Sequence, residues 1–417
     1  MAHVLLYATA VASAPYVFDA AWAPQFPAGS GSLSGVDVVQ TGAGDTLVYV
    51  TQRGNLTLPP VIILSPRTGA VVSSWGLDHG QVAFTKDGWG AHGIKVERLR
   101  SVVSAGDPID PNIRVWIDDF TRHTLTAFSA TGKKLLELGT PGVAGNGTHP
   151  LQFGNLADMA IDSAAGKLYV SDGDGGSANR VVSVTITPPS STNATFTWAT
   201  KAGRYDNPHS IALHKRSGLL FLANREANET RLIRAADGVD LGVFDCGVHF
   251  GPGAGVGEKP FGVRTLSFGA SLDLGFVAMM DNPQDGRNQH VAVLDFSGLS
   301  AASGASSSCA VVQTLDVDAS KFSGPHLLGV DEKSGDVSIF YCVRLFALGL
   351  LGRYRSTQTY YRYYISCESF SQFDSLLRTS SAPHIRCTRR SSATRRSPQS
   401  FASSALGASS SSYYGED

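Results

Sequence analysis

The 417-residue chain has no run of about 18 apolar residues, so it holds no candidate membrane-spanning helix. Helical periodicity is missing too: no segment longer than a few residues repeats apolar side chains at i, i+3 and i+4, which argues against long amphipathic helices. An excess of one charge is absent. The 34 Lys and Arg against 35 Asp and Glu leave a net charge of −1. That balance removes the electrostatic case for nucleic acid or an anionic membrane as a partner of the body. Cysteine is scarce, five in all. Familiar catalytic signatures are lacking. Without a Gly-x-Ser-x-Gly elbow there is no case for a hydrolase nucleophile. The glycine-rich run at 251–257 lacks the Gly-Lys-Ser/Thr ending of a phosphate-binding loop and reads as a loop between repeats.

What the chain does have is 42% hydrophobic residues and 45 glycines. Short Val, Ile, Leu and Phe runs recur, separated by Gly, Asp, Asn and Pro, which is the signature of many short antiparallel strands. One register returns about six times. A small or polar entry leads into an apolar strand, a glycine turn, a second strand, a polar turn and a third strand. Copies begin near Val36, Asp87, Phe153, Asn207, Phe261 and Gly324. A unit of three or four strands at a period of roughly 45–65 residues is a propeller blade, because one such sheet covers neither of its faces alone and a ring of them covers both. The expectation is an all-β, six-bladed β-propeller over 35–340 whose last blade is incomplete.

Both ends read differently. Residues 1–14 carry a short apolar run ending Ala-Ser-Ala before Pro15, the pattern of a signal peptide, although only His3 stands for the charged start. Four glycosylation sequons, at Asn55, Asn146, Asn193 and Asn228, fit a secreted or secretory-pathway luminal protein. In that compartment Cys246 and Cys309 are the pair expected to form a disulfide; two buried free thiols are the alternative. The segment 341–417 holds Arg, Ser and clustered Tyr with little to form a core, and reads as a low-complexity tail or an artefact of the gene's reading frame.

The stretch from Leu138 to Val182, with its Leu-Gly-Thr-Pro-Gly, Pro-Leu-Gln-Phe and Ser-Asp-Gly-Asp-Gly-Gly phrases, resembles an NHL repeat. The resemblance runs collinearly over about 36–337 and extends to the peptidyl-α-hydroxyglycine α-amidating lyases, NHL propellers that release a peptide amide and glyoxylate. It implies a zinc ion on the propeller axis held by one His from each of three blades. His209 and His326, each preceded by Pro, match two of those positions. His92 matches the third, with Ala91 where the family has Pro. Arg53 and Arg225 match active-site arginines that could grip a substrate carboxylate.

Departures from the lyases matter as much. The lyases place a Tyr after Asp-Gly in the third repeat, where this chain has Asp172-Gly173-Asp174. A calcium-binding Asp follows their third His, where this chain has Leu327, and the loop Cys of their turn is missing. Calcium therefore loses its side-chain ligand. Asp118 and Asp119 read as turn residues, and His79 and His149 as loop residues. The reading that follows is a monomeric scaffold binding a protein or peptide on one face, with a zinc site possible at its centre. The alternative is a zinc-dependent lyase of peptidyl-α-hydroxyglycine.

Overall fold

The computed structural model describes residues 16–19, 22, 24–53, 55–77, 90–187, 193–244, 246, 259–268, 272–280, 290–300, 309–316, 325–341 and 350–356. The chain divides into two compact units, 1–359 and 360–417, and every described residue belongs to the first. The regular elements among those residues are all strands, arranged in six four-stranded antiparallel sheets. After β1 (Tyr16–Phe18), the first sheet is β2 (Ser32–Gln40), β3 (Thr46–Arg53), β4 (Val61–Leu64) and β5 (Val71–Trp75). The second is β6 (Ala91–Arg98), β7 (Ile113–Asp119), β8 (Thr124–Ser129) and β9 (Lys134–Gly139). The third is β10 (Leu156–Asp162), β11 (Lys167–Asp172), β12 (Arg180–Ile186) and β13 (Ala194–Ala199). The fourth is β14 (Pro208–His214), β15 (Leu219–Asn224), β16 (Glu229–Arg234) and β17 (Asp240–Val243). The fifth is β18 (Lys259–Phe268), β19 (Leu272–Met280), β20 (His290–Asp295) and β21 (Ala310–Asp316). The last runs β22 (Pro325–Val330), β23 (Val337–Tyr341), β24 (Leu350–Ser356) and then β1.

The first strand of each sheet touches the first strand of the next, and β22 touches β2, so the chain closes on itself as an all-β propeller. The alternating side chains of each second strand explain the closure. In β15, Leu219, Phe221 and Ala223 pack with Val277, Ala292 and Phe296 of the fifth sheet, while Leu220 and Leu222 pack with Tyr169 and Val181 of the third. In β3, Leu47 and Tyr49 face the second sheet; Val48 and Val50 lie in a separate cluster with Leu33, Ile62 and Trp22. A period of two thus writes two buried faces into one strand, and each face needs a neighbouring sheet. Full burial of each Leu, Val or Phe contributes about 1.5–3 kcal/mol, so the contacts between sheets hold the ring together.

Two local devices recur and position the axis. The last residue of the second strand, or the one before it, ties down the backbone that enters the first. Gly31 N–H donates to Gln52 (3.0 Å), Gly154 N–H to Asp172 (2.7 Å) and Asp206 N–H to Asn224 (2.8 Å). Asp119 caps the turn through Thr121 and Arg122, as expected, whereas Asp118 departs from the turn role read for it: it is buried in β7 and accepts from Gly93 N–H of β6 at 2.8 Å. The second device is a register shift one or two residues into each first strand, which falls at Ser34, His92–Gly93, Ala157, His209, Phe261 and His326–Leu327. A bulge re-aims the side chain it contains.

The last sheet corrects the sequence reading. Instead of stopping incomplete near residue 340, it has four strands. Its third, β24, lies inside the segment read as tail, and its fourth, β1, lies ahead of residue 35 and pairs Tyr16 with Ser356 and Phe18 with Tyr354. The unmatched edge of β23 is satisfied by a strand from beyond the last repeat, as an open sheet edge requires. Residues 1–14, His79, 251–257 and the rest of the tail lie outside the described residues.

Candidate metal centre on the propeller axis

The six bulges alternate around the ring, and every second one holds a histidine. His92, His209 and His326 come from the second, fourth and last sheets and are all buried. Their ring centroids lie 4.9 Å (92–209), 5.0 Å (92–326) and 4.8 Å (209–326) apart. One nitrogen from each lies within 4.8 Å of the other two. Residues 117 positions apart in sequence (92, 209 and 326 are equally spaced) therefore meet at one point.

The intervening bulges orient the rings. His92 Nδ1–H donates to Ala157 O at 2.5 Å, and His209 Nδ1–H donates to Phe261 O at 2.8 Å. A carbonyl only accepts, so Nδ1 carries the proton and the bare lone pair sits on Nε2. Burial lowers the pKa of all three imidazoles, that of His209 and His326 well below the ordinary value, helped for His209 by Arg225 and for His326 by the other two rings. They stand neutral at physiological pH, which is the form that ligates a metal.

Asp174 faces this trio from the third sheet's β11–β12 loop. Its Oδ2 is 3.6 Å from His92 Nε2 and its Oδ1 is 4.0 Å from His209 Nε2. Arg225 Nη1 lies 3.2 Å from Oδ1, with its guanidinium stacked on Phe261 at 4.9 Å. Asn207, its amide turned so that Nδ2 donates to Gly173 O at 2.7 Å, accepts from Arg225 Nη2 at 2.6 Å. Burial works to raise the Asp174 pKa, but His92 when protonated, Arg225, His326 and Arg53 outweigh it and hold the carboxyl below its usual range. Arg225 is thus brought to the centre, where it faces a carboxylate, and Arg53 lies near enough to act electrostatically on Asp174 and on all three imidazoles.

The donor set suits a zinc ion. Three neutral imidazoles with a carboxylate beside them match its ligand preference, and a four-coordinate ion about 2.1 Å from each nitrogen holds them roughly 3.4 Å apart, a small inward shift from the separation here. For calcium the fit fails at the position after the third His: Leu327 is buried and has no side-chain oxygen. Sequence reasoning found the three histidines and both arginines but gave Asp174 no role; its one signal was an acidic residue standing where the lyases have Tyr.

Other expected sites fall elsewhere. Cys246 and Cys309 are joined by a disulfide between the fourth and fifth sheets, Cα to Cα 5.0 Å. Asn146 and Asn193 are exposed, whereas Asn55 and Asn228 are half-buried and the Thr230 hydroxyl of the last sequon donates to Phe244 O (2.8 Å). His149 is an exposed loop residue. No helix among the described residues is long and apolar enough to cross a membrane.

Fold and site together define a β-propeller of repeated four-stranded sheets. No protein-family model matches the chain. It is 30% identical over 307 residues to NHL repeat-containing protein 3 of Mus musculus, covering 70% of this chain and 72% of that one. With the Homo sapiens protein of the same name it shares 26% over 342 residues, covering 78% and 80%. The chain belongs to the NHL repeat-containing protein 3 family. Among solved structures, the hydrazine synthase of Kuenenia stuttgartiensis aligns with a TM-score of 0.37 at 15% identity, covering 55% of this chain and 52% of that one. A member of the DUF4221 family from Bacteroides vulgatus aligns with a TM-score of 0.47 at 10% identity, covering 82% and 98%.

Proposed function

We propose that this chain is a six-bladed NHL-repeat propeller, one blade per sheet, that holds zinc on His92, His209 and His326 and acts in the secretory pathway or outside the cell as a scaffold for a protein or peptide. The observation that carries the reading is Asp174. It occupies the place of the lyase Tyr, its oxygens lie 3.6 and 4.0 Å from two of the imidazoles, and Arg225 is engaged with it. A bound zinc would supply Lewis-acid chemistry. Catalysis by such an ion needs a position left open for substrate, and a carboxylate beside three His is placed to take that position. The same carboxylate occupies the arginine that a substrate carboxylate would need. Exposed sequons at Asn146 and Asn193 and the Cys246–Cys309 bond support an oxidising compartment.

The second reading, a peptidyl-α-hydroxyglycine lyase, is favoured by the retained trio together with Arg53 and Arg225. Elemental analysis of the purified full chain, followed by a glyoxylate assay on a model α-hydroxyglycine peptide, separates the two. The expected result is about one zinc per chain, lost in the paired variant His209→Ala and His326→Ala, with no glyoxylate. Glyoxylate release above the level of that variant would establish the lyase instead. A chain free of zinc after growth with the metal would overturn both metal readings.

A further inference from the structure

Three acceptors meet on the axis with no donor between them. His92 and His209 each give their Nδ1–H to a backbone carbonyl, so both Nε2 atoms carry bare lone pairs. Asp174 Oδ2 stands 3.6 Å from the first and Oδ1 4.0 Å from the second. His209 is fully buried, and its Nε2 meets no hydrogen-bond partner among the described residues. Acceptors facing one another at this range repel, and a buried polar atom left unmade is costly. A cation among them satisfies all three at once.

The loop after β11 is built to hold that carboxylate in place. Asp174 N–H donates to Asn155 O at 2.8 Å, and Asn155 Nδ2 returns a bond to Asp174 O at 3.0 Å. On the other flank, Asn207 spans both neighbours of Asp174. Its Nδ2 donates to Gly173 O at 2.7 Å, and its Oδ1 accepts from Gly175 N–H at 3.3 Å as well as from Arg225 Nη2. Glycine is needed on either side: a Cβ at Gly173 would stand 2.2 Å from Pro208 Cδ, and Gly175 has a φ of +73°. Arg225 Nη1 then engages Oδ1 at 3.2 Å, and Oδ2 is the oxygen turned to His92. Hydrogen-bonded support of this kind is what fixes the orientation of a metal ligand. Asp174 also comes from the third sheet, between the sheets that supply His92 and His209.

Resting on the zinc reading above, we propose that Asp174 is the fourth ligand of the axial ion, and that the site is a closed structural clasp joining the second, third, fourth and last sheets. Arg225 and Asn207 are its positioning residues. The ligand atoms of a four-coordinate zinc lie roughly 3.4 Å apart, which the 3.6 Å between Oδ2 and His92 Nε2 already approaches. Four protein ligands make a structural site, whereas three leave a position for substrate. The last sheet is the one assembled from both ends of the chain, so the clasp reinforces the seam of the ring.

Cobalt(II) exchanged into the full chain tests this, because its visible absorption reports coordination. The native spectrum should be the intense one of a four-coordinate ion and should not change with millimolar azide. Chelation of the metal should lower the melting temperature by about 10 °C. Asp174→Ala should bind cobalt at least about tenfold more weakly, and its spectrum should shift as azide enters the opened position. The native measurements need no variant, so they decide the matter even if Asp174→Ala folds poorly. A native chain that takes up neither cobalt nor zinc fails the zinc reading itself, and the clasp with it. Three results overturn the clasp alone and leave the zinc reading standing: a native cobalt spectrum that moves with azide, a melting temperature unchanged by chelation, or a folded Asp174→Ala protein that binds cobalt as tightly as the native chain.

Discussion

Asp158 shows what one fully buried carboxylate carries inside the ring of sheets. Burial alone would raise its pKa; Arg264 and Lys95 outweigh that and bring it to about 2, from 3.8 in the unfolded chain. The folded state therefore favours the ionised form. The resulting stabilisation, on the order of 2 kcal/mol, is full above pH 3.8 and disappears as the pH falls through the window from 3.8 to about 2. Asp158→Asn removes the charge but leaves Arg264 and Lys95 buried, so it should cost about 3–5 kcal/mol at neutral pH. Denaturant titrations of both proteins across acid pH should show the gap between them narrowing below about pH 4. A gap that does not change with pH would mean Asp158 is not the group holding those cations. None of this was legible in the sequence. Lys95 and Arg264 could be seen as cations inside apolar strands, but Asp158 and Arg264 are 106 positions apart and meet only because the ring closes. The three histidines were legible because each stands at the same place in its repeat; Asp174 was not, because its partners arrive from other sheets.

At the scale of the strand, the turns and the period of two were readable, and they gave the repeats. The bulges were not. They fall after Pro at His209, Phe261 and His326, after Ala at His92 and after Leu at Ser34 and Ala157, so no single residue type announces all six. What surrounds them is a crowded axis: a Cβ on Gly262, just past its bulge, would stand 2.4 Å from His326 O. The disulfide belongs to this scale as well. Cys246 follows β17 and Cys309 precedes β21, and both pack on the cluster of Phe244, Phe296 and Leu299. A crosslink closing 63 residues restricts the unfolded chain, and its removal should cost about 2–4 kcal/mol. Unfolding of the double variant Cys246→Ala and Cys309→Ala, beside the unreduced native chain, measures that cost. Equal stability, with both thiols titrating in the unreduced native chain, would show that the two cysteines pack as free thiols.

At the scale of the whole molecule, stability depends on how the ring is closed. Five of the six sheets are each made from one continuous stretch of chain; only the last draws strands from both ends. β24 sits between β23 and β1, so removing it strips a partner from each. The start of the chain is held by more than that pairing: Tyr16 N–H donates to Gln313 Oε1 at 2.6 Å, Gln313 Nε2 returns a bond to Tyr16 O at 2.8 Å, and the Tyr16 ring meets Phe276 edge-on at 5.7 Å. The alternation that makes Leu350–Ser356 a strand is short and set in Arg-rich text, which is why the sequence reading ended the fold too early. A chain ending at residue 359 keeps every described strand and should unfold like the full chain. One ending at residue 341 loses β24, leaves β23 with an open edge and should lose on the order of 5 kcal/mol from the strand pairings alone. Chemical denaturation of the two truncations side by side measures the difference. Equal stability would mean that the ring closes without the strand from the tail, as a propeller held by the packing between its sheets and not by its seam.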